Sequence, residues 1–198
     1  MVMDRSVGVL VGSLRRESFS RRLAGVLRDV APASLHLSVI EIGALPHYNQ
    51  DADDEGRPFQ EWLGFRQAVR AADAILFVTP EYNRSMPGVL KNAIDVGSRP
   101  YGQSAWDGKP AAVVSNTPGA MGGFGANHAL RQPCVYLNMP VMQQPEAYIG
   151  GASSLFSQEG GVVAADTRDF LQNYMARFAD WIETILGRAP SQSAPSVR

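Results

Sequence analysis

Short apolar runs alternate with stretches of helical periodicity over most of the chain. Residues 7–11 read as a buried strand bounded by Gly12 and Ser13, and Leu23, Val26, Leu27 and Val30 then recur at helical spacing until Pro32. Residues 35–42 predict a second strand. The segment 43–58 carries no strong period, and loops of that length are often functional when ordered. Phe59, Trp62, Leu63 and Val69 predict a second helix, residues 74–78 a third strand, and Met86, Val89, Leu90, Ala93 and Ile94 a third helix ending near Gly97. Residues 111–115 predict a fourth strand, 126–137 a fourth helix disturbed by Pro133, and 141–142 a short fifth strand. Phe170, Tyr174, Phe178, Trp181, Ile182 and Ile185 share one face of a closing helix.

Alternating strands and helices call for a parallel sheet covered on both faces. Five strands suit a three-layer, flavodoxin-like sandwich of order 2-1-3-4-5, whose switch point lies between strands one and three. That order brings the loop after strand one beside the loop after strand three. The reading gives one domain over residues 1–186 and an expected disordered tail, rich in Ser, Pro and Ala, over 187–198.

Composition removes several function classes. Eighteen Lys and Arg against nineteen Asp and Glu leave a formal net charge of −1, with no basic surplus for nucleic acid. The single cysteine, Cys134, excludes an internal disulfide and reads as a small buried hydrophobe. No apolar run approaches the ~20 residues of a membrane span, and the amino terminus lacks a long secretory-type apolar stretch, so a cytoplasmic location is expected. His36, His47 and His128 have no metal-ligand spacing, and no Ser-His-Asp arrangement or carboxylate pair emerges.

The chemistry gathers in two loops. The first runs Gly12-Ser13-Leu14-Arg15-Arg16-Glu17-Ser18-Phe19-Ser20, without a dinucleotide Gly-x-Gly-x-x-Gly or a Walker lysine. Its serine hydroxyls, the free N–H groups of a helix start and the nearby arginines suit a terminal phosphate. The alternative is that Ser18 or Ser20 merely caps the helix and the arginines are solvated. The second loop, Thr79-Pro80-Glu81-Tyr82-Asn83-Arg84, sets an aromatic ring, an amide and a guanidinium at a strand's carboxyl end, as one wall for a flat ligand.

Gly12-Ser13-Leu14-Arg15 with Ser18 and Ser20, followed by Pro80-Glu81-Tyr82-Asn83, Pro87-Gly88 and Leu90-Lys91-Asn92-Ala93-Ile94-Asp95, resembles the NADPH-dependent FMN reductases, including bacterial chromate and quinone reductases. The resemblance runs from Val7 to about Glu183 and implies the fold already deduced, with noncovalent FMN. Carried over by motif, it places Ser13, Arg15, Ser18, Phe19 and Ser20 around the flavin phosphate and Pro80, Glu81, Tyr82 and Asn83 along the isoalloxazine. Asn116, Thr117, Gly119, Gly122 and Gly123 match a second ring-contacting loop. Many relatives carry Asn in place of Ser20, and Arg and an aromatic residue within the stretch Gly125-Ala126-Asn127-His128. The implied activity passes hydride from NAD(P)H through FMN to a small-molecule acceptor by ping-pong turnover. Quinones, chromate, ferric chelates and free flavin are the candidate acceptors, and Arg84 and Arg99 the candidate substrate contacts. The flavin carries the chemistry, so no catalytic side chain is expected. A homodimer is implied, with a tetramer as the alternative. An electron carrier on the same scaffold is the competing function, although such carriers tend to use charged docking surfaces and this chain is nearly neutral.

Overall fold

The computed structural model describes residues 3–157, 162 and 164–187. Strands β1 (Arg5–Val11), β2 (Leu35–Val39), β3 (Ala74–Thr79), β4 (Ala111–Asn116) and β5 (Ala147–Ile149) alternate with helices α1 (Phe19–Asp29), α2 (Gln50–Asp54), α3 (Gln60–Ala71), α4 (Gly88–Gly97), α5 (Phe124–Tyr136) and α6 (Ala165–Leu186). The strands form one five-stranded sheet of order β2-β1-β3-β4-β5, parallel throughout. This is the flavodoxin-like order expected from the sequence.

The inner strands are apolar at successive positions because both faces are covered. Val7, Val9, Val11, Leu76, Val78 and Val114 point toward α1 and α6, where Leu23, Leu27, Tyr174 and Phe178 complete one core. Leu10, Ile75, Phe77 and Val113 point the other way, against Trp62, Phe65, Leu90, Trp106 and Leu130. The two-residue side-chain period thus divides one apolar run between two cores. The buried Tyr174 hydroxyl donates to the Val113 carbonyl at 3.0 Å, which ties α6 to the sheet.

Several boundaries differ from the sequence reading. The fifth strand is Ala147–Ile149, paired with Val114, Ser115 and Asn116, whereas Val141 makes only an isolated bridge to Ala111. Pro140 and Pro145 flank that bridge, and a ladder cannot draw N–H donors from proline. Helix α5 starts two residues earlier than expected and accommodates Pro133 internally. The second strand stops at Val39, and the long loop contains the short helix α2, capped by the Asn49 side chain accepting from Asp51 N at 3.1 Å. Gly187 closes α6, and the rest of the expected tail lies outside the described residues.

Candidate active site

Val11 of β1 lies opposite Val78 of β3, and Gly12 N donates to Val78 O at 2.9 Å, so the loops leaving these strands start side by side. A Cβ on Gly12 would stand 2.8 Å from Thr79 Oγ1, so glycine lets the two loops approach. Between them opens a pocket of about 120 Å³. Ser13, Arg15, Ser18, Phe19 and Ser20 form one wall, Pro80, Glu81 and Tyr82 a second, and Asn116, Thr117 and Pro118 a third. The structure therefore gathers every expected cofactor residue except Asn83, Gly119, Gly122 and Gly123, and adds Pro118.

On the first wall the helix-cap alternative holds for Ser18. Ser18 is the N-cap of α1, its Oγ accepting from Arg21 N at 3.2 Å. Among the described residues nothing accepts its hydroxyl proton, which a ligand could take. The Ser20 hydroxyl is already committed, donating to Asn116 Oδ1 at 2.8 Å and joining the first and third walls. Ser13 Oγ accepts from Arg15 N at 3.4 Å and, among the described residues, has no acceptor for its own proton. Ser13, Ser18 and Ser20 are all buried. The opening N–H groups of a helix have no partner within it, so those of Phe19 and Ser20 are left at the pocket.

The nearby arginines are not equivalent. Arg21 makes two 2.8 Å bonds to Glu41, whose carboxyl is held below its ordinary value chiefly by that pairing. Arg22 lies 4.6 Å from the Phe156 ring centroid and donates to Ser157 O at 2.9 Å. Phe156 in turn stacks on Phe19 at 6.3 Å. Arg15 is the arginine on the pocket wall.

The second wall is a tight hairpin. Tyr82 and Ser85 exchange backbone bonds of 2.9 and 3.0 Å, and Asn83 and Arg84 between them both adopt left-handed φ values, 51° and 65°. That pair matches a type I′ turn, which costs a residue such as arginine about 1–2 kcal/mol. Glu81 Oε2 accepts from Ala126 N at 3.0 Å, supplying the cap that α5 lacks from its own N-cap, Gly123. A Cβ on Gly125 would meet Arg84 O at 2.7 Å and Glu81 Oε2 at 3.0 Å, so the hairpin rests directly on the first turn of α5.

Gly122 and Gly123 have left-handed φ values of 60° and 81°. A Cβ on Gly122 would stand 2.4 Å from the Tyr148 carbonyl carbon, and one on Gly123 2.9 Å from Ser115 Cβ. Close packing on β4 and β5 accounts for both glycines. Gly119 accepts from Thr117 Oγ1 at 3.1 Å within the same turn. Arg84 is not on the pocket wall but in the hairpin of Tyr82, which is, whereas Arg99 lies beyond the far end of α4, about 15 Å away along a ten-residue helix, beside Tyr101.

Sequence reasoning missed the residues that order the long loop. Asn92 Oδ1 accepts from Tyr48 N at 2.9 Å, and its Nδ2 donates to Leu45 O and Pro46 O at 3.3 and 3.1 Å. Trp62 Nε1 also donates to Pro46 O, at 2.9 Å. Buried Arg66 pairs with Asp53 at 2.8 and 2.7 Å and donates to Val96 O at 2.9 Å. The available signal was a polar residue within the apolar period of each helix, Asn92 beside Leu90 and Ala93, and Arg66 beside Phe65 and Val69. Lys91 and Asp95 form the expected exposed pair at 2.8 Å. Burial pushes the Cys134 thiol up to about 12, which makes it an inert core residue. Among the described residues no cluster of His, Cys, Asp and Glu is placed to hold a metal, and no helix is long and apolar enough to cross a membrane.

A parallel sheet of this order with a small pocket at its switch point defines a flavodoxin-like protein with a phosphate-compatible site. The chain belongs to the NADPH-dependent FMN reductase family, whose pattern it matches over residues 5–154. It is 61% identical over 178 residues to a quinone reductase of Pseudomonas putida, covering 90% of this chain and 95% of that one. A 2-hydroxy-1,4-benzoquinone reductase of Burkholderia sp. is 46% identical over 181 residues, covering 91% and 97%. Among solved structures, FerB, a flavoenzyme NAD(P)H:(acceptor) oxidoreductase from Paracoccus denitrificans, superposes with a TM-score of 0.86 at 40% identity, covering 91% and 98%.

Proposed function

We propose that the chain is an FMN-dependent oxidoreductase that transfers electrons from NAD(P)H to quinones in a ping-pong cycle. The observation that carries this reading is the pocket itself. Two buried serine hydroxyls, the opening N–H groups of Phe19 and Ser20 and Arg15 meet in one small cavity. At about 120 Å³ the cavity is smaller than the ~300–1,000 Å³ that encloses a whole drug-sized ligand. It suits a phosphate and the chain attached to it, leaving a flat ring on the more open surface of Pro80, Tyr82 and Thr117. The residues present fit FMN.

When bound, the flavin supplies the two-electron exchange between the nicotinamide donor and the acceptor. The protein's share is positional. Ser13, Ser18, Arg15 and the α1 amino terminus would hold the phosphate; the dipole of α1 and the guanidinium both favour a dianion. The hairpin at 82–85 and the turn at 117–119 fix the two sides of the ring site, and Glu81 locks the first to α5. Among the described residues no side chain in the pocket pairs with a base as an activated nucleophile would.

The near-neutral charge of the chain and its likeness to named reductases favour turnover over a carrier role. A homodimer in the cytoplasm completes the reading. The test is anaerobic stopped-flow spectroscopy of the purified protein. FMN at one per chain, bleached by NADPH and restored by a quinone, with parallel double-reciprocal lines in steady state, is the expected result. A colourless protein that cannot be reconstituted with FMN would overturn it.

A further inference from the structure

Beside the pocket lies a run of exposed apolar side chains with a cation among them. Tyr82, on the pocket wall, is 47% exposed, Met121 57% and Phe124 45%. Phe124 N donates to Met121 O at 3.2 Å, so these two side chains start from a single turn at the head of α5. Arg84 reaches Met121, its Nη1 standing 3.6 Å from Met121 Sδ. No carboxylate among the described residues pairs with Arg84. Its backbone is fixed in the left-handed turn, with its carbonyl above Gly125. Phe124 is braced from behind by His128 and Tyr148, at ring separations of 4.2 and 5.3 Å. His128 Nε2 lies 3.0 Å from the Tyr148 hydroxyl.

Large apolar side chains that stay exposed in a contiguous set mark binding surfaces. A thioether adapts to the face or edge of an aromatic ring. A guanidinium without a carboxylate partner, next to both, matches a flat ring that carries negative charge on in-plane oxygens. We propose that Arg84, Met121 and Phe124 form an acceptor seat that selects quinones bearing an ionised ring oxygen over uncharged quinones. The inference rests on the quinone reductase reading and specifies its substrate class. A hydroxyl on a quinone ring is a vinylogous carboxylic acid, so it is already ionised at neutral pH and spreads its charge over two oxygens. Arg84 pairs with the ionised ring oxygen and the carbonyl oxygen beside it, and Met121 and Phe124 contact the ring. The electron balance is that of the proposed reaction. NAD(P)H gives up a hydride and solvent one proton, the quinone becomes the hydroquinone, and NAD(P)+ leaves. The seat adds selection only.

The test compares 2-hydroxy-1,4-benzoquinone with 1,4-benzoquinone on the FMN-loaded enzyme. Dissociation constants are measured without a nicotinamide donor, so no turnover occurs, and kcat/KM is measured with one. The buried Cys134 thiol, pushed up to about 12, presents little thiolate for side reaction with either quinone. Arg84→Asn keeps a residue that tolerates the left-handed turn and removes the charge. It is expected to lower the preference for the hydroxyquinone about tenfold or more, the usual scale for a hydrogen bond to a charged group. Arg84→Lys should restore part of that preference. Met121→Ala and Phe124→Ala should weaken both quinones together, by about threefold or more.

An unchanged preference in Arg84→Asn, or a defect confined to reduction by NADPH, overturns the seat. So does a change of oligomeric state in Met121→Ala or Phe124→Ala with quinone binding intact, which would make the patch a contact between copies. Wild-type protein that NADPH cannot reduce overturns the underlying reading instead, and that outcome is visible before any quinone is added.

Discussion

Ser13 and Ser18 both line the pocket, each with no acceptor for its hydroxyl proton among the described residues, but only Ser18 also caps α1. Removing each hydroxyl therefore separates cofactor binding from folding. Ser13→Ala deletes one donor to a phosphate dianion. A hydrogen bond to a charged group contributes about 1.5–3 kcal/mol, so the FMN dissociation constant should rise roughly 10–150-fold. Riboflavin has no phosphate, and its dissociation constant should change less than about threefold. The apoprotein should keep its stability within about 0.5 kcal/mol, since Ser13 gives up only a 3.4 Å contact from Arg15 N. Ser18→Ala should weaken FMN over a similar range and, in addition, lower apoprotein stability by about 1 kcal/mol through loss of the 3.2 Å bond from Arg21 N. The assay is flavin fluorescence titration of apoprotein with FMN and riboflavin, alongside urea unfolding without flavin. Equal loss of FMN and riboflavin affinity in Ser13→Ala would refute the phosphate assignment. A Ser18→Ala apoprotein as stable as the parent would refute the cap.

Three further outcomes follow from the same geometry. Glu81→Ala should destabilise the protein by about 1–2 kcal/mol because Ala126 N loses its acceptor, and Glu81→Gln should retain most of that stability, as chemical denaturation can show. Gly122→Ala should lower stability by more than about 1 kcal/mol, because a Cβ would meet the Tyr148 carbonyl carbon at 2.4 Å on a backbone with φ of 60°. Arg66 holds the Asp53 carboxyl below its ordinary value through paired hydrogen bonds, so this contribution is present above the unfolded value, about 3.9, and is lost as pH falls through the lower folded value. Arg66→Met, which strands Asp53, should cost about 3–5 kcal/mol at pH 7, and the gap should narrow toward pH 4 as Asp53 takes up a proton; a constant gap in pH-dependent unfolding would count against the pair.

The elements easiest to read in the sequence were those whose burial is settled by local pattern. Residues 7–11 and 74–78 are apolar at consecutive positions because each is covered on two faces, and they coincide closely with β1 and β3. The closing helix was legible through Tyr174, Phe178 and Ile182, which recur on its buried stripe. Strand β5 was not legible. It has three residues, and its pairing depends on where the turn after β4 releases the chain, a distance no local period records. Helix α2 was hidden for a related reason, since Asp53 is fixed by Arg66 from a different element.

The site divides along the same line. By itself the sequence determined the alternating fold, the two chemically furnished loops and their meeting at a switch point, because strand order and loop chemistry follow from pattern and motif. Only the tertiary structure decided how the side chains are shared out. Ser18 caps α1 and still faces the pocket, whereas Ser20 spends its proton on Asn116. Arg21 and Arg22 are taken by Glu41 and by Phe156 with Ser157, leaving Arg15 on the wall, and Arg99 stands apart from Arg84. The reason is physical. A motif fixes which donors and charges a loop carries, but each of them binds whichever acceptor folding brings within about 3 Å, and those acceptors come from other parts of the chain.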